Sequence, residues 1–393
     1  MNWSKSILIA AAFFAATQVQ AQDNLINSLK GNASDNSKEG FKFTEVINLG
    51  KTSIKDQGSS GTCWSYSGNS FLESEMIRMG KQPVEISQIY TARNTYVEKA
   101  KNFVRLHGKQ AQGDGGQLHD VLTIFRKYGA VPYEVYTGLP EGQTRNNFSE
   151  MSPILQSITE SVAESKKPTK NWLKAFTGAM DSYLGEVPES FEYKGKTYTP
   201  RTFADQVIGI NPDDYVGISS FEEHAYYKPF VLLIPDNWSF ESFYNVKIND
   251  LTDIIDHALE KGFTVAWATD VSEKSFSWKN GVAFVPEKPI EKMTKEEIDV
   301  LFNGPKPEAK ITAEQRQEAF DNYETTDDHG MHIVGIVKDQ TGKEYYIVKN
   351  SWGVSNDYQG YMYATKEFVR YKTISLMLHK NALDKNMQKQ LGI

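Results

Sequence analysis

The 393-residue chain has a single cysteine, no excess of basic charge and no apolar run of bilayer length. With Cys63 alone, no intrachain disulfide can form and no cysteine-rich zinc site can be built, so the thiol is either packed away or used. Its 43 Lys and Arg against 50 Asp and Glu leave a net charge of -7. That sign repels phosphate backbones and argues against sequence-independent nucleic-acid binding. His107, His119, His224, His257 and His379 show no ligand spacing among them, so neither a metal nor a cofactor is expected. What the chain does have is aromatic mass, 21 Phe, 20 Tyr and 7 Trp, enough to offset chain entropy by burial and to exclude global disorder.

The first residues read as a targeting segment. Lys5, an apolar run from Ile7 to Ala16 and the small residues of Val19-Gln20-Ala21 fit a signal peptide over 1–21 cleaved near Ala21. A spanning helix needs roughly 20 apolar residues, so the expectation is an exported chain, periplasmic or secreted, with no membrane attachment after cleavage. Residues 22–40 are polar and read as a flexible leader. Folding is expected over 41–393, as one domain with an insertion at about 140–229, where the composition turns polar apart from an amphipathic stretch from Trp172 to Leu184.

Helical spacing runs from Cys63 to Gly80, from Ser87 to Lys99 and from His119 to Tyr128. The charges Lys99, Lys101, Arg105 and Lys109 read as a solvated helical face. Later segments turn to strands: Phe230–Ile234, Phe263–Ala268, Met331–Lys338, Glu344–Lys349 and Gly360–Ala364, with a helix over Leu251–Lys261. The sum is an α+β protein, helices first and antiparallel strands afterwards.

A thiol attacks carbonyl carbon only as thiolate, so a working cysteine needs positive surroundings, an imidazole and donors for an oxyanion. Cys63 stands near a helix N-terminus, whose partial positive charge favours the anion. His329 and His332 head a strand, and because their numbers differ by an odd count they face opposite sides, so only one can meet the sulfur. The amide oxygen of Asn350 can fix an imidazole tautomer, and the Gln57 amide with the Cys63 backbone N–H can hold an oxyanion.

Gln57-Gly58-Ser59-Ser60-Gly61-Thr62-Cys63-Trp64, Asp328-His329-Gly330-Met331-His332 and Asn350-Ser351-Trp352-Gly353 stand in the order found in the papain-like cysteine peptidases, and the chain resembles that family. Ser60 replaces an upstream cysteine, and the Gln-Gly-Ser-Ser-Gly run is closer to the bleomycin hydrolase and aminopeptidase C branch. Cys63 and His329 are separated by roughly twice the 130 to 150 residues of the compact papain pattern, an enlargement that branch shares.

The resemblance implies a papain-like fold with the active site in the cleft between a helical and a β-rich half. It further implies catalysis by Cys63, His329 and Asn350, the histidine standing six residues before Gly335, with an oxyanion site at Gln57. Substrate contacts are implied at Gly115 and Gly116 of a glycine-rich wall and at Trp352, which also shields the Asn/His contact. The branch further implies peptide substrates cut from the N-terminus, a C-terminal carboxylate at Ile393 gating the cleft, and a homo-oligomer, a hexamer. An internal-cutting peptidase, a Cys/His acyltransferase and a catalytically dead peptide binder are the alternatives.

Overall fold

The computed structural model describes residues 40–393; the expected signal peptide and all but the last residue of the leader lie outside the described residues. Five helices build the first half: α1 (Cys63–Arg78), α2 (Gln88–Arg105), α3 (Leu118–Tyr128), α4 (Met151–Ala163) and α5 (Asn171–Leu184). Their starts are chemically marked. Ser87 Oγ accepts from the Tyr90 amide at 3.1 Å ahead of α2, and the Asp120 carboxylate accepts from the Gln117 amide at 2.9 Å ahead of α3, each satisfying an orphan donor. Phe71, Leu72, Ile89 and Val121 share one apolar core with Met151, Phe176 and Phe203.

The 140–229 stretch is thus more structured than the single expected helix. It supplies α4, α5, a hairpin of Phe191–Tyr193 and Lys196–Tyr198, and a sheet strand. In α4 the inward anchors are Met151 and Leu155, with Ile158 packed against the same core, so a helical apolar spacing is present there as well.

The second half is built on β1 (Thr44–Asn48), β2 (Tyr215–Ser219), β3 (Pro229–Val231), β4 (Ser242–Asn245), β5 (Val265–Thr269), β6 (His329–Lys338), β7 (Glu344–Lys349), β8 (Tyr361–Thr365) and β9 (Thr373–His379). They run in the order β3-β4-β2-β9-β5-β6-β7-β8, followed by the two-residue strands Val282–Ala283 and Phe276–Ser277; β1 pairs with the latter part of β6. Pairing is antiparallel as expected, except for β2 with β4 and β8 with Val282–Ala283, which are parallel. Besides a five-residue turn of helix at Lys295–Asp299, the sheet is accompanied by α6 (Ile248–Glu260), α7 (Ala313–Asp321), α8 (Lys366–Lys372) and α9 (Lys385–Leu391). Leu251 and Ile255 of α6, Phe368 of α8 and Met387 and Leu391 of α9 share a core with Trp267 and Ile333 of the sheet. Among the described residues no helix is long and apolar enough to cross a membrane.

Two features position the site. Helix α1 is buried from Cys63 through Met76, because it packs on both sides. A Cβ added to Gly68 would lie 2.5 Å from Val121 Cγ2 of α3, and one added to Gly330 would lie 3.2 Å from the Trp64 backbone nitrogen. The register then pairs His329 with Thr269, and Thr269 with Thr373. The start of β6, the end of β5 and the start of β9 therefore meet at one edge. β9 runs from that edge to His379, about 20 Å away at roughly 3.3 Å per residue.

Candidate active site

Cys63 is the first residue of α1 and is buried. The Thr62 side chain does not cap the helix; its hydroxyl bonds Ser60 Oγ at 2.6 Å instead. The α1 dipole therefore acts on the thiol directly, worth roughly 0.3 to 1 kcal/mol when exposed and about 2 when partly buried. The loop before it is fastened from two sides. Gly58, at φ +66°, presses on Asn146, where a Cβ would fall 2.3 Å from the carbonyl oxygen, so only glycine fits. Gln57 is buried; its Nε2 donates to Ser60 O at 2.7 Å, and its Oε1 accepts from Ser351 Oγ at 2.7 Å.

His329 opens β6 and is buried. Its Nε2 meets Asn350 Oδ1 at 2.7 Å. The amide oxygen is an acceptor, so Nε2 carries the proton, and Nδ1 is the ring nitrogen left for the sulfur. Asn350 Oδ1 also accepts from the Ser351 amide at 2.7 Å, which holds it in place. The Trp352 ring lies 4.6 Å from the imidazole, tilted 36°, and is itself packed against Trp278 and Phe276. His332 behaves as the parity argument requires: its Nδ1 sits 3.0 Å from Ser70 Oγ of α1, away from the cleft.

Cys63 and His329 line one cavity of about 610 Å³, together with Gly115 and Gly116. Gly116 packs on the ring of Trp64, where a Cβ would fall 2.8 Å from Cε2. Lys99 Nζ donates to the carbonyls of Gly113 at 2.9 Å and Gly115 at 2.5 Å, and Trp64 Nε1 donates to Asp114 O at 2.9 Å. The glycine wall is thus bolted to α1 and α2. Residues 1–392 match the Peptidase C1-like family.

The chain belongs to the Peptidase C1-like family. It is a cysteine peptidase of papain-like fold. It is 23% identical to the aminopeptidase C of Lactococcus lactis subsp. cremoris, covering 94% of this chain and 91% of the relative. It is 22% identical to the mitochondrial cysteine proteinase 1 of Saccharomyces cerevisiae (strain YJM789), over 98% and 86% of the two chains. The crystal structure of pepw from Lactobacillus rhamnosis HN001 superposes with a TM-score of 0.67 at 20% identity, over all of this chain and 92% of that one.

Against the expectations from the sequence, Trp352, Ile393 and Lys99 stand elsewhere, and Gln57, although bonded to the loop before Cys63, is not among the residues lining the cavity. Trp352 does not contact the cavity; 2% exposed, it is used up by stacking on His329 and the Trp278 cluster. Ile393 does not line the cavity either. The chain leaves β9 at the end of the sheet remote from His329, and α9 then packs Met387 and Leu391 into the core under α6. Lys99 is not on a solvated face: it is 1% exposed. Tyr96 and Phe103 lie three and four residues to either side of it, on the same buried face, which was the available sequence signal. Ser351, which binds Gln57, had no such signal, since a serine beside a turn is ordinarily solvated.

Burial pushes the His329 imidazole down to about 4, against the pull of its Asn350 bond. An imidazolium there needs an adjacent anion, and the Cys63 thiolate across the cavity can supply it. Close by, burial and Asp270 raise Asp328 to about 7. Burial lifts Asp327 well above the carboxylate range, reinforced by Asp236 and Asp328. The arrangement can form a thiolate, orient an imidazole and confine an acyl intermediate away from bulk water.

Proposed function

We propose that this chain is an aminopeptidase acting through Cys63, His329 and Asn350. The observation that carries the reading is His329, fixed through Nε2 by Asn350 and facing with Cys63 into one cavity. The Cys63 sulfur attacks a peptide carbonyl, forming the S–C bond; His329 gives its Nδ1 proton to the departing amine as the C–N bond breaks. Water then attacks the acyl-enzyme, returns a proton to His329 and frees the sulfur. Asn350 keeps the imidazole in its tautomer, Trp352 excludes water from that contact, and the Cys63 N–H with the second Gln57 Nε2 hydrogen receives the oxyanion. The N-terminal preference is supported by relatives named aminopeptidase C and aminopeptidase G.

The placement of α9 favours a second reading, an internal-cutting peptidase, because neither α9 nor Ile393 lines the cavity. Free-amine and N-acetylated fluorogenic peptides separate the two. The expected result is turnover of the free-amine substrate by the parent and none by Cys63→Ser. Activity surviving in Cys63→Ser would remove the nucleophile. The exported location and a hexameric assembly rest on the sequence reading; cell fractionation and light scattering test them.

A further inference from the structure

The cavity carries acidic groups that the Cys/His pair does not use. Asp114, Asp236, Asp321, Asp327 and Asp328 line it, and among the described residues no lysine or arginine does. Four of these carboxylates have donors. Asp114 accepts from Ser152 Oγ and from the Gly61 amide at 3.3 Å; Asp327 accepts from Gln117 Nε2. Asp328 accepts from Thr326 Oγ1 at 2.7 Å, and Asp321, on the exposed rim, from Gln317 Nε2 at 3.0 Å.

Asp236 differs. Among the described residues no donor reaches its carboxylate, and its one favourable charge is Lys99, which the Gly113 and Gly115 carbonyls already engage. The carboxylate rests on the glycine wall: a Cβ built on Gly115 would fall 2.1 Å from Asp236 Oδ2 and 2.5 Å from Oδ1. The next residue, Gly116, touches Trp64, the neighbour of Cys63. Asp236 therefore stands beside the wall, within a few residues' reach of the sulfur. Its oxygens open to the cavity instead of a protein donor, and burial raises it from its ordinary value. A cation arriving in the cavity would meet a carboxylate that no donor among the described residues already occupies.

We propose that Asp236 binds the protonated α-amino group of the peptide substrate and thereby sets cleavage near a free N-terminus. The inference rests on the aminopeptidase reading and replaces the chain's own C-terminal end, which lies away from this cavity, with a carboxylate on the cavity wall. The ligand class is a peptide with an unblocked amine; the anchor makes a charge-assisted hydrogen bond of the N⁺–H···O⁻ type.

The test compares parent and Asp236→Asn on an aminoacyl fluorogenic substrate and its N-acetyl counterpart, with Cys63 alkylation by iodoacetamide reporting an intact site. Removing one partner of a desolvated charge pair predicts a loss of at least about 30-fold in kcat/KM for the free-amine substrate, mainly through KM. N-acetyl turnover should be unchanged or higher, and alkylation stoichiometric. Free-amine preference kept in Asp236→Asn, in a parent that shows it, overturns the proposal alone. A parent indifferent to acetylation overturns the aminopeptidase reading and the proposal with it. Removing Gly392 and Ile393 is the companion experiment: the preference should persist, and its loss there would assign the amine to the tail and overturn the role of Asp236.

Discussion

The Gln57 amide spends one Nε2 hydrogen on the Ser60 carbonyl and retains the second, while its oxygen is tied to Ser351. One side chain thus joins the loop before the nucleophile to the loop that carries Asn350. Replacing Gln57 by Ala is expected to lower kcat roughly 100- to 1000-fold, about 2.7 to 4 kcal/mol for one lost oxyanion donor. It should also cost about 1 to 3 kcal/mol of stability, because Ser351 loses a buried partner. Steady-state rates and the urea midpoint read the two effects separately; a variant with full turnover would strip Gln57 of the oxyanion role.

At the scale of elements, the contact between α1 and β6 decides whether sulfur and imidazole meet. Gly330 lies between them, and an added methyl would stand 2.8 Å from Ser67 Oγ and 3.1 Å from Trp64 Cα. Gly330→Ala should cost about 1 to 3 kcal/mol by overpacking. It should cost more in kcat, since a shift of about 1 Å at a reacting pair is worth roughly 100-fold. Gly178 in α5 is the control: nothing lies within 4 Å of its Cβ position, so Gly178→Ala should raise stability by roughly 0.5 to 1 kcal/mol with activity unchanged. The urea midpoint with kcat/KM checks both.

Much of this contact was legible in the chain. The 3.6-residue spacing after Cys63 marked α1, and the apolar runs at 331–338 and 344–349 marked β6 and β7, because continuous burial leaves a dense apolar record. Strand parity separated His329 from His332. The strand β9 leaves no such record, since Thr373-Ile374-Ser375 hides its polar side chains in bonds to partners far along the chain, such as Trp267 Nε1 on Thr373 Oγ1 and Ser375 Oγ on Gln117. Asp236 was equally invisible: what singles it out is the glycine it lies against, and that residue is over a hundred positions away.

For the whole molecule, the two halves are held by a buried polar bridge as well as by packing. Lys349, at the end of β7, reaches Ser70 Oγ at 2.7 Å and Thr52 Oγ1 at 3.0 Å. Glu73 of α1 bonds Thr52 and accepts from the Ile86 amide at 2.8 Å. Burial lowers Lys349 to about 8 and raises Glu73, each pulled back by the other's charge. Lys349→Met should therefore cost about 3 to 5 kcal/mol, the penalty of stranding one buried charge. Adding Glu73→Gln to it should restore part of that loss. Urea denaturation of the two singles and the double gives the coupling, and strictly additive losses would mean the pair is independent.

The route of β9 has a practical consequence. Because the strand carries the chain away from the sulfur before α9 folds down, an affinity handle or reporter protein joined after Ile393 emerges on ground the substrate never crosses. Such a fusion, immobilised by that end, is expected to turn over peptide as fast as the free enzyme, which would be self-defeating in an enzyme whose last residues occupied its own groove.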